Sequence, residues 1–424
     1  MTAPAPMTAS AGKVRSPLRG REFGLVWLSG LISDTGDWLL MIALPLYVFA
    51  ITGSAIGTST VFLAELVPVL VLGPLLGVFV DRFDHRRTMI VVNVAQGIAL
   101  LPLLFVTPDR IWIVYVIAAV QAALAAGFNP ARYSLLPRLV PTAQLGSANS
   151  LIAVSDNLSR LVGAPIGGLV FVTSGLVGVV MLDAASYLLS AILVWLSRPS
   201  RPVPAADAVS TAAGDAVPAH PVGFVRELLG GFATIRRNRP LSALLAIEAV
   251  ASVAQGIFLV LFVVYVVRIL DASEAEVGLL RGVQAIGGVL GGLIVGVLAR
   301  RLSSRVLIGW GFILFGVLAL ATWNFSPVTT RIAFYVAFFI AMGIPAVAVG
   351  AGMMTMLQTV TPQLAMGRVV ATVGTSAQAA QGVGLLLGGL VADRLGVVVV
   401  LDGQAALYLI CGVLALVSLR LRPL

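Results

Sequence analysis

Carboxylates set in apolar sequence are where this chain could do chemistry. Asp34 and Asp37 stand three residues apart in Ser33-Asp34-Thr35-Gly36-Asp37-Trp38, midway along an apolar stretch, and Glu65 lies at a similar depth in the next one. A charge at the centre of a bilayer costs on the order of 2.5–3.5 kcal/mol, so acids kept there are expected to be used. The use that suits them is proton or cation handling, since carboxylates sharing a low-dielectric site hold protons that isolated ones release. The plainer alternative is that each is satisfied by a neighbouring Ser, Thr or backbone group. Gly36 beside Asp37 suits close packing or a local break.

Asp156 and Arg160 are four apart, one helical turn, and are expected to pair, either as a structural ion pair or in gating or substrate contact. Asp183, Glu248 and Arg281 are single charges nearer the ends of their stretches and read as local hydrogen-bond anchors. Gln255, with Gln121, Gln284, Gln358, Gln378 and Gln381, could line a polar cavity or hold helices together. Other chemistries lack their residues. Lys13, the one lysine, has Met7 where a phosphate-binding loop needs its first Gly, which argues against ATP-driven work by this chain. The one cysteine, Cys411, excludes an internal disulfide and a Cys-based metal site. His85 and His220 fall in predicted loops, and no nucleophile with a base is found, so neither an enzyme, a cofactor nor a metal is expected.

The elements that must position these groups follow from composition. The 424-residue chain is 59% hydrophobic and 11% charged, which predicts a polytopic membrane protein. Apolar runs near 25–50, 57–80, 88–106, 111–131, 146–172 and 176–197, then 241–267, 276–298, 305–324, 331–356, 366–391 and 397–419, make twelve spans in two groups of six. The net charge of +9 does not point to nucleic acid, because the arginines sit in short loops and form no basic face. Those loops fall on one side: Arg82, Arg86 and Arg87 after the second span, Arg138 after the fourth, Arg300, Arg301 and Arg305 after the eighth. The positive-inside rule then predicts that both termini are cytoplasmic. Between the groups, Pro202 to Pro221 reads as a linker. Val222 to Asn238 reads as an amphipathic helix lying on the inner membrane surface.

The two groups are also repeats. At an offset of 221, Gly167-Gly168-Leu169-Val170 meets Gly388-Gly389-Leu390-Val391, and Ala184, Ala185, Tyr187 and Leu188 meet Ala405, Ala406, Tyr408 and Leu409. At 219, Gly77 meets Gly296 and Arg82 meets Arg301, while Asp81 meets Arg300. Both groups begin on the same side, so this is a parallel repeat. The partners of Asp34 and Asp37 are Val253 and Gly256, so the acids belong to one group only.

Gly73 to Arg87 supplies a family resemblance. Gly73 and Gly77 are one turn apart at the end of the second run, with Asp81, Arg82, Arg86 and Arg87 following. This resembles the signature loop of the major facilitator superfamily, with Asp84 and His85 where the family has Gly and Arg. The resemblance implies a cytoplasmic gating latch through the eleventh helix, with Asp81→Asn expected to slow turnover. Gly163-Ala164-Pro165-Ile166-Gly167-Gly168 is similar to the Gly/Pro element of superfamily antiporters, with spacing off by one. The fourth-helix Arg of many drug–proton antiporters is missing from Ile117 to Gln121. Trp27 through Trp38 and Asn129-Pro130-Ala131-Arg132 resemble the macrolide- and siderophore-exporter branches.

The expected fold is therefore an all-α polytopic membrane protein with twelve transmembrane helices in two six-helix repeats. Its expected division is a tail at 1–20, bundles at 21–198 and 241–420, and a linker at 199–240. By resemblance it is a secondary transporter exporting amphipathic, drug-like compounds by alternating access. Its partners would be a small-molecule substrate, protons and the lipid bilayer, with the chain acting as a monomer in a bacterial inner membrane. A siderophore or lysophospholipid carrier, or a non-transporting sensor of the same fold, stays open.

Overall fold

The computed structural model describes residues 17–80, 83–141, 144–198, 221–298 and 302–419. Every regular element among them is helical. The longer ones are α1 (Arg21–Thr52), α2 (Ala55–Val80), α3 (His85–Leu100), α4 (Trp112–Leu139), α5 (Leu145–Leu196) and α6 (Pro221–Arg237). There follow α7 (Arg239–Arg268), α8 (Glu274–Leu298), α9 (Ser304–Trp323), α10 (Ile332–Val360), α11 (Met366–Leu395) and α12 (Val397–Ser418).

Ten helices among the described residues are long and apolar enough to cross a membrane. One of them, α5, holds 52 residues, about 78 Å at 1.5 Å per residue and more than two bilayer cores. Gly175 divides it, at φ 62° and ψ −165°, a conformation that only glycine adopts readily. Its two arms are separate crossings. The 30-residue α11 is long enough to cross but more polar, with Thr372, Thr375, Ser376, Gln378 and Gln381 along it. Counting α11 and both arms of α5 gives the twelve crossings expected of this fold. The fourth runs farther than its apolar core: Arg132 to Arg138, expected after the span at 111–131, continue the helix to Leu139.

Packing repeats between the two sets of crossings. α1 lies on α5, α2 on α4 and α3 on the second arm of α5; α7 lies on α11, α8 on α10 and α9 on α12. Between the sets, α5 meets α8 and α2 meets α11. Glycines set these approaches, because a Cβ would occupy the space of a neighbouring backbone. A Cβ at Gly167 would stand 2.8 Å from Leu39 Cα, within the first set. One at Gly168 would stand 2.5 Å from the Glu274 carbonyl oxygen, across the sets. Their repeat partners divide in the same way: Gly388 faces Ile257 of α7, and Gly389 faces Ser59 and Ile56 of α2. Gly163 lies against Thr35 and Trp38, and Pro165 packs on Gly282. The Gly/Pro element is thus a packing seam that joins the two sets. Gly168→Val is expected to cost about 1–3 kcal/mol by overpacking. Gly146→Val, where nothing lies within 4 Å, should be neutral. Thermal unfolding of the two variants in nanodiscs checks the contrast.

The contacts between sets lie toward the end remote from both termini. Ser59 Oγ donates to the Leu385 carbonyl at 2.7 Å, and Arg268 donates to the Gly53 carbonyl with its guanidinium 4.9 Å from the Phe49 ring centre. At the other end, α6 docks along α11: Ile235 is buried, Gly231 abuts Thr372, and Leu229 and Phe232 face outward. The surface helix is therefore held by protein along one edge.

Candidate functional site

α1 carries its acids midway along its length, and the structure gives each a different surrounding. Asp34 does not stand with Asp37 as a second free carboxylate. The buried Arg132 guanidinium, from α4, lies 3.0 Å from Asp34 Oδ2 and 3.7 Å from Asp156 Oδ1. This overturns the expected Asp156–Arg160 pair. The spacing would permit it, but Arg132 reaches Asp156 from another helix, while Arg160 turns toward Trp38, 5.9 Å from its ring centre. Arg281, expected to be a hydrogen-bond anchor, reaches the same ring from α8 at 5.9 Å and lies 5.2 Å from the Phe258 ring centre. A positive charge over an aromatic face replaces part of the lost hydration. Trp38 thereby touches a cation from each set of crossings.

Asp37 opens into a cavity of about 280 Å³ enclosed by the first set. Glu65 of α2 lines the same cavity, as do Gln96, Gln121 and Tyr187, and the lining holds no Lys, Arg or His. A directed chain of donors ends on Asp37. Gln96 Nε2 donates to the Tyr187 hydroxyl at 3.0 Å, and that hydroxyl donates to Asp37 Oδ1, while Gln121 Nε2 separately donates to the Gln96 backbone carbonyl at 2.9 Å. Two acids lining one cavity that has no basic residue in its lining lack a fixed counter-charge there, the setting in which carboxylates hold protons.

Asp183, expected to be a local hydrogen-bond anchor, makes such a bond to Ser186 and lies against α1 beside Gly36, outside the lining of the cavity. It is fully buried, accepts from Ser186 Oγ at 3.2 Å, and its Oδ2 has no hydrogen-bond partner among the described residues. Gly36 makes room for it, since a Cβ there would collide with Asp183 Oδ1 and Ser186 Oγ. Nearby, Asn93 donates to Ser190 Oγ at 2.9 Å, and Ser190 shares a 2.7 Å bond with Ser29. Gln96, Asn93 and Tyr187 were not expected at the site. The one available signal was the repeat: Tyr408, the partner of Tyr187, donates to Gln255 Oε1 at 3.3 Å. The same tyrosine thus meets an acid in the first set and an amide in the second.

Gln255 lines a larger cavity, of about 460 Å³, enclosed by the second set and sharing no residue with the first cavity. Gln284, Gln358, Gln378 and Gln381 line neither.

The signature loop is only partly placed. Gly73 and Gly77 lie in α2; Asp81, Arg82, Arg300 and Arg301 lie outside the described residues. Asp84 has a local role. It caps α3, accepting from the Arg87 backbone N at 2.9 Å. Arg86 donates to the Val194 carbonyl at 3.1 Å and to the Trp195 carbonyl, so it satisfies the end of α5 within its own set. Arg305 does the same to Leu416 at the end of α12, at the repeat offsets 219 and 221. These helix-end contacts differ from the latch to the eleventh helix that the resemblance implied for the loop.

Comparison with known proteins adds four findings. The family model described as Major Facilitator Superfamily matches residues 26–265 and 244–424. Macrolide efflux protein A of Streptococcus pyogenes is 26% identical over 383 residues, 89% of this chain and 90% of that protein. Multidrug efflux pump Tap of Mycolicibacterium fortuitum is 28% identical over 413 residues, 94% of this chain and 96% of that protein. Among solved structures, a bacterial homologue of the human lysosomal transporter Spinster, inward-facing and unoccupied, superposes with a TM-score of 0.71 at 13% identity. That match covers 97% of this chain and 100% of the other.

Proposed function

The chain belongs to the Major Facilitator Superfamily, and from that premise we propose that it exports amphipathic, drug-like compounds in exchange for protons. The observation that carries the proton half is the shared cavity of Asp37 and Glu65, without a basic residue in its lining. The export half is supported by efflux relatives aligned over 89% and 94% of this chain. The two six-crossing groups would rock about their shared seam, exposing the cavities to each side in turn. Loop arginines support an orientation with both termini in the cytoplasm, and the bacterial origin of the efflux relatives supports a bacterial inner membrane location. Each group's cavity is lined by residues of that group alone, which supports a monomer as the working unit.

Protonation has a structural consequence at Asp37. While Asp37 is ionised, it accepts the Tyr187 hydroxyl, tying α1 to the second arm of α5. A proton arriving from the cavity weakens that charge-assisted bond. Occupancy by a proton is thereby linked to the packing of two helices within the group. Tyr187→Phe removes this donor and is expected to slow export about tenfold, the value of one hydrogen bond to a charged acceptor. Initial efflux rates at matched expression measure it.

The reading is tested by efflux from loaded cells with the pH gradient collapsed by an ionophore. Export should stop; unchanged export would sink the proton claim. A siderophore or lysophospholipid cargo would show itself in a panel of labelled substrates.

A further inference from the structure

The cavity of the second set has no part in proton exchange as described. It measures about 460 Å³ and is formed by α7, α9, α10, α11 and α12. Its walls are apolar and adaptable. Phe312 stacks on Tyr408 at 6.0 Å, Phe315 meets the same ring edge-on at 4.8 Å, and Met353 and Met354 complete the lining from α10. Methionine side chains reshape at little cost, which suits cargo of varied outline. One charged residue lies in this lining, Glu248 on α7. It makes no hydrogen bond or ion pair among the described residues. Its polar companions in the lining are Ser252, Gln255 and Tyr408, and the last two are bonded to each other.

An apolar chamber with one unneutralised carboxylate discriminates by charge. A cation entering it recovers Coulomb energy in a low dielectric, while a neutral molecule of the same bulk gains only contact, and an anion is repelled. We propose that this chamber is the cargo site and that Glu248 selects monocationic amphiphiles, such as protonated amines and quaternary or phosphonium cations with bulky apolar bodies. The proposal deepens the export reading and rests on it. It also divides the labour: cargo charge is read in the second set of crossings, and the proton is carried in the first.

The test uses the full-length protein in nanodiscs with no pH gradient. Equilibrium binding of tetraphenylphosphonium, a permanent cation, is compared with that of uncharged chloramphenicol. Glu248→Gln is expected to weaken tetraphenylphosphonium about tenfold or more and chloramphenicol by less than about twofold, as loss of a single charge contact requires. Glu248→Asp, which keeps the charge, should bind the cation within about threefold of the parent. The proposal is overturned if Glu248→Gln weakens both probes alike, leaves cation binding intact, or if the parent binds no tetraphenylphosphonium saturably. Because no gradient is present, failure here leaves proton exchange at Asp37 standing. Loss of the proton claim in the ionophore experiment likewise leaves this result standing.

Discussion

Asp37→Asn is expected to abolish gradient-driven export while leaving folded protein in the membrane. The amide oxygen of Asn can still accept the Tyr187 hydroxyl, so the chain from Gln96 through Tyr187 keeps its end point. What disappears is the group that can gain and lose a proton facing the cavity shared with Glu65. Concentrative export should fall to background, about tenfold or more, as for a residue on an obligatory proton relay. Exchange of labelled for unlabelled cargo across the membrane needs no net proton movement and should continue. The pair of measurements separates loss of coupling from loss of fold. If export persists at the parent rate, Asp37 is not the proton carrier.

The largest expected effect on stability is at Arg132. Its side chain is 3% exposed and lies against two carboxylates, Asp34 at 21% and Asp156 at 55% exposure. Arg132→Gln strands the more buried Asp34 without its counter-charge, a change worth about 3–5 kcal/mol for a broken buried pair. Adding Asp34→Asn to Arg132→Gln should recover most of that loss, because the unpaired charge is then gone. Asp156→Asn on the same background should recover little, since its carboxylate already reaches water. Thermal unfolding of the single and double variants in nanodiscs gives the coupling directly. Equal unfolding temperatures for Arg132→Gln and the parent would remove the ion triad from the account.

Much of this fold was legible because its signals are local or periodic. Apolar runs mark crossings, and a bilayer admits helices with few alternatives. Constant repeat offsets carried more than topology: Gly167-Gly168 and Gly388-Gly389 turn out to seat one helix of their own set and one of the other. The site was legible only by residue type. That Asp37 and Glu65 are candidates follows from their cost in apolar sequence; that they share a cavity does not. The pairing of Asp156 went wrong because a one-turn spacing is visible in sequence and an arginine 24 residues away on another helix is not. Asp183 keeps the local hydrogen bond expected of it, but its place against α1 was not visible for a similar reason. Its neighbour is created by Gly36 allowing α1 and α5 to touch, a tertiary event. Asp84 departs from the family loop, yet its role as a helix cap is a local one that residue type alone suggests.

The most direct test of proton-for-cargo exchange is the pH inside proteoliposomes while cargo enters. Vesicles holding the purified protein and an internal pH dye receive a transported compound outside, with no gradient imposed. Cargo entering should drive protons out, so the interior turns alkaline for the parent and stays flat for Asp37→Asn. Cargo that accumulates with the interior pH unchanged would contradict proton exchange.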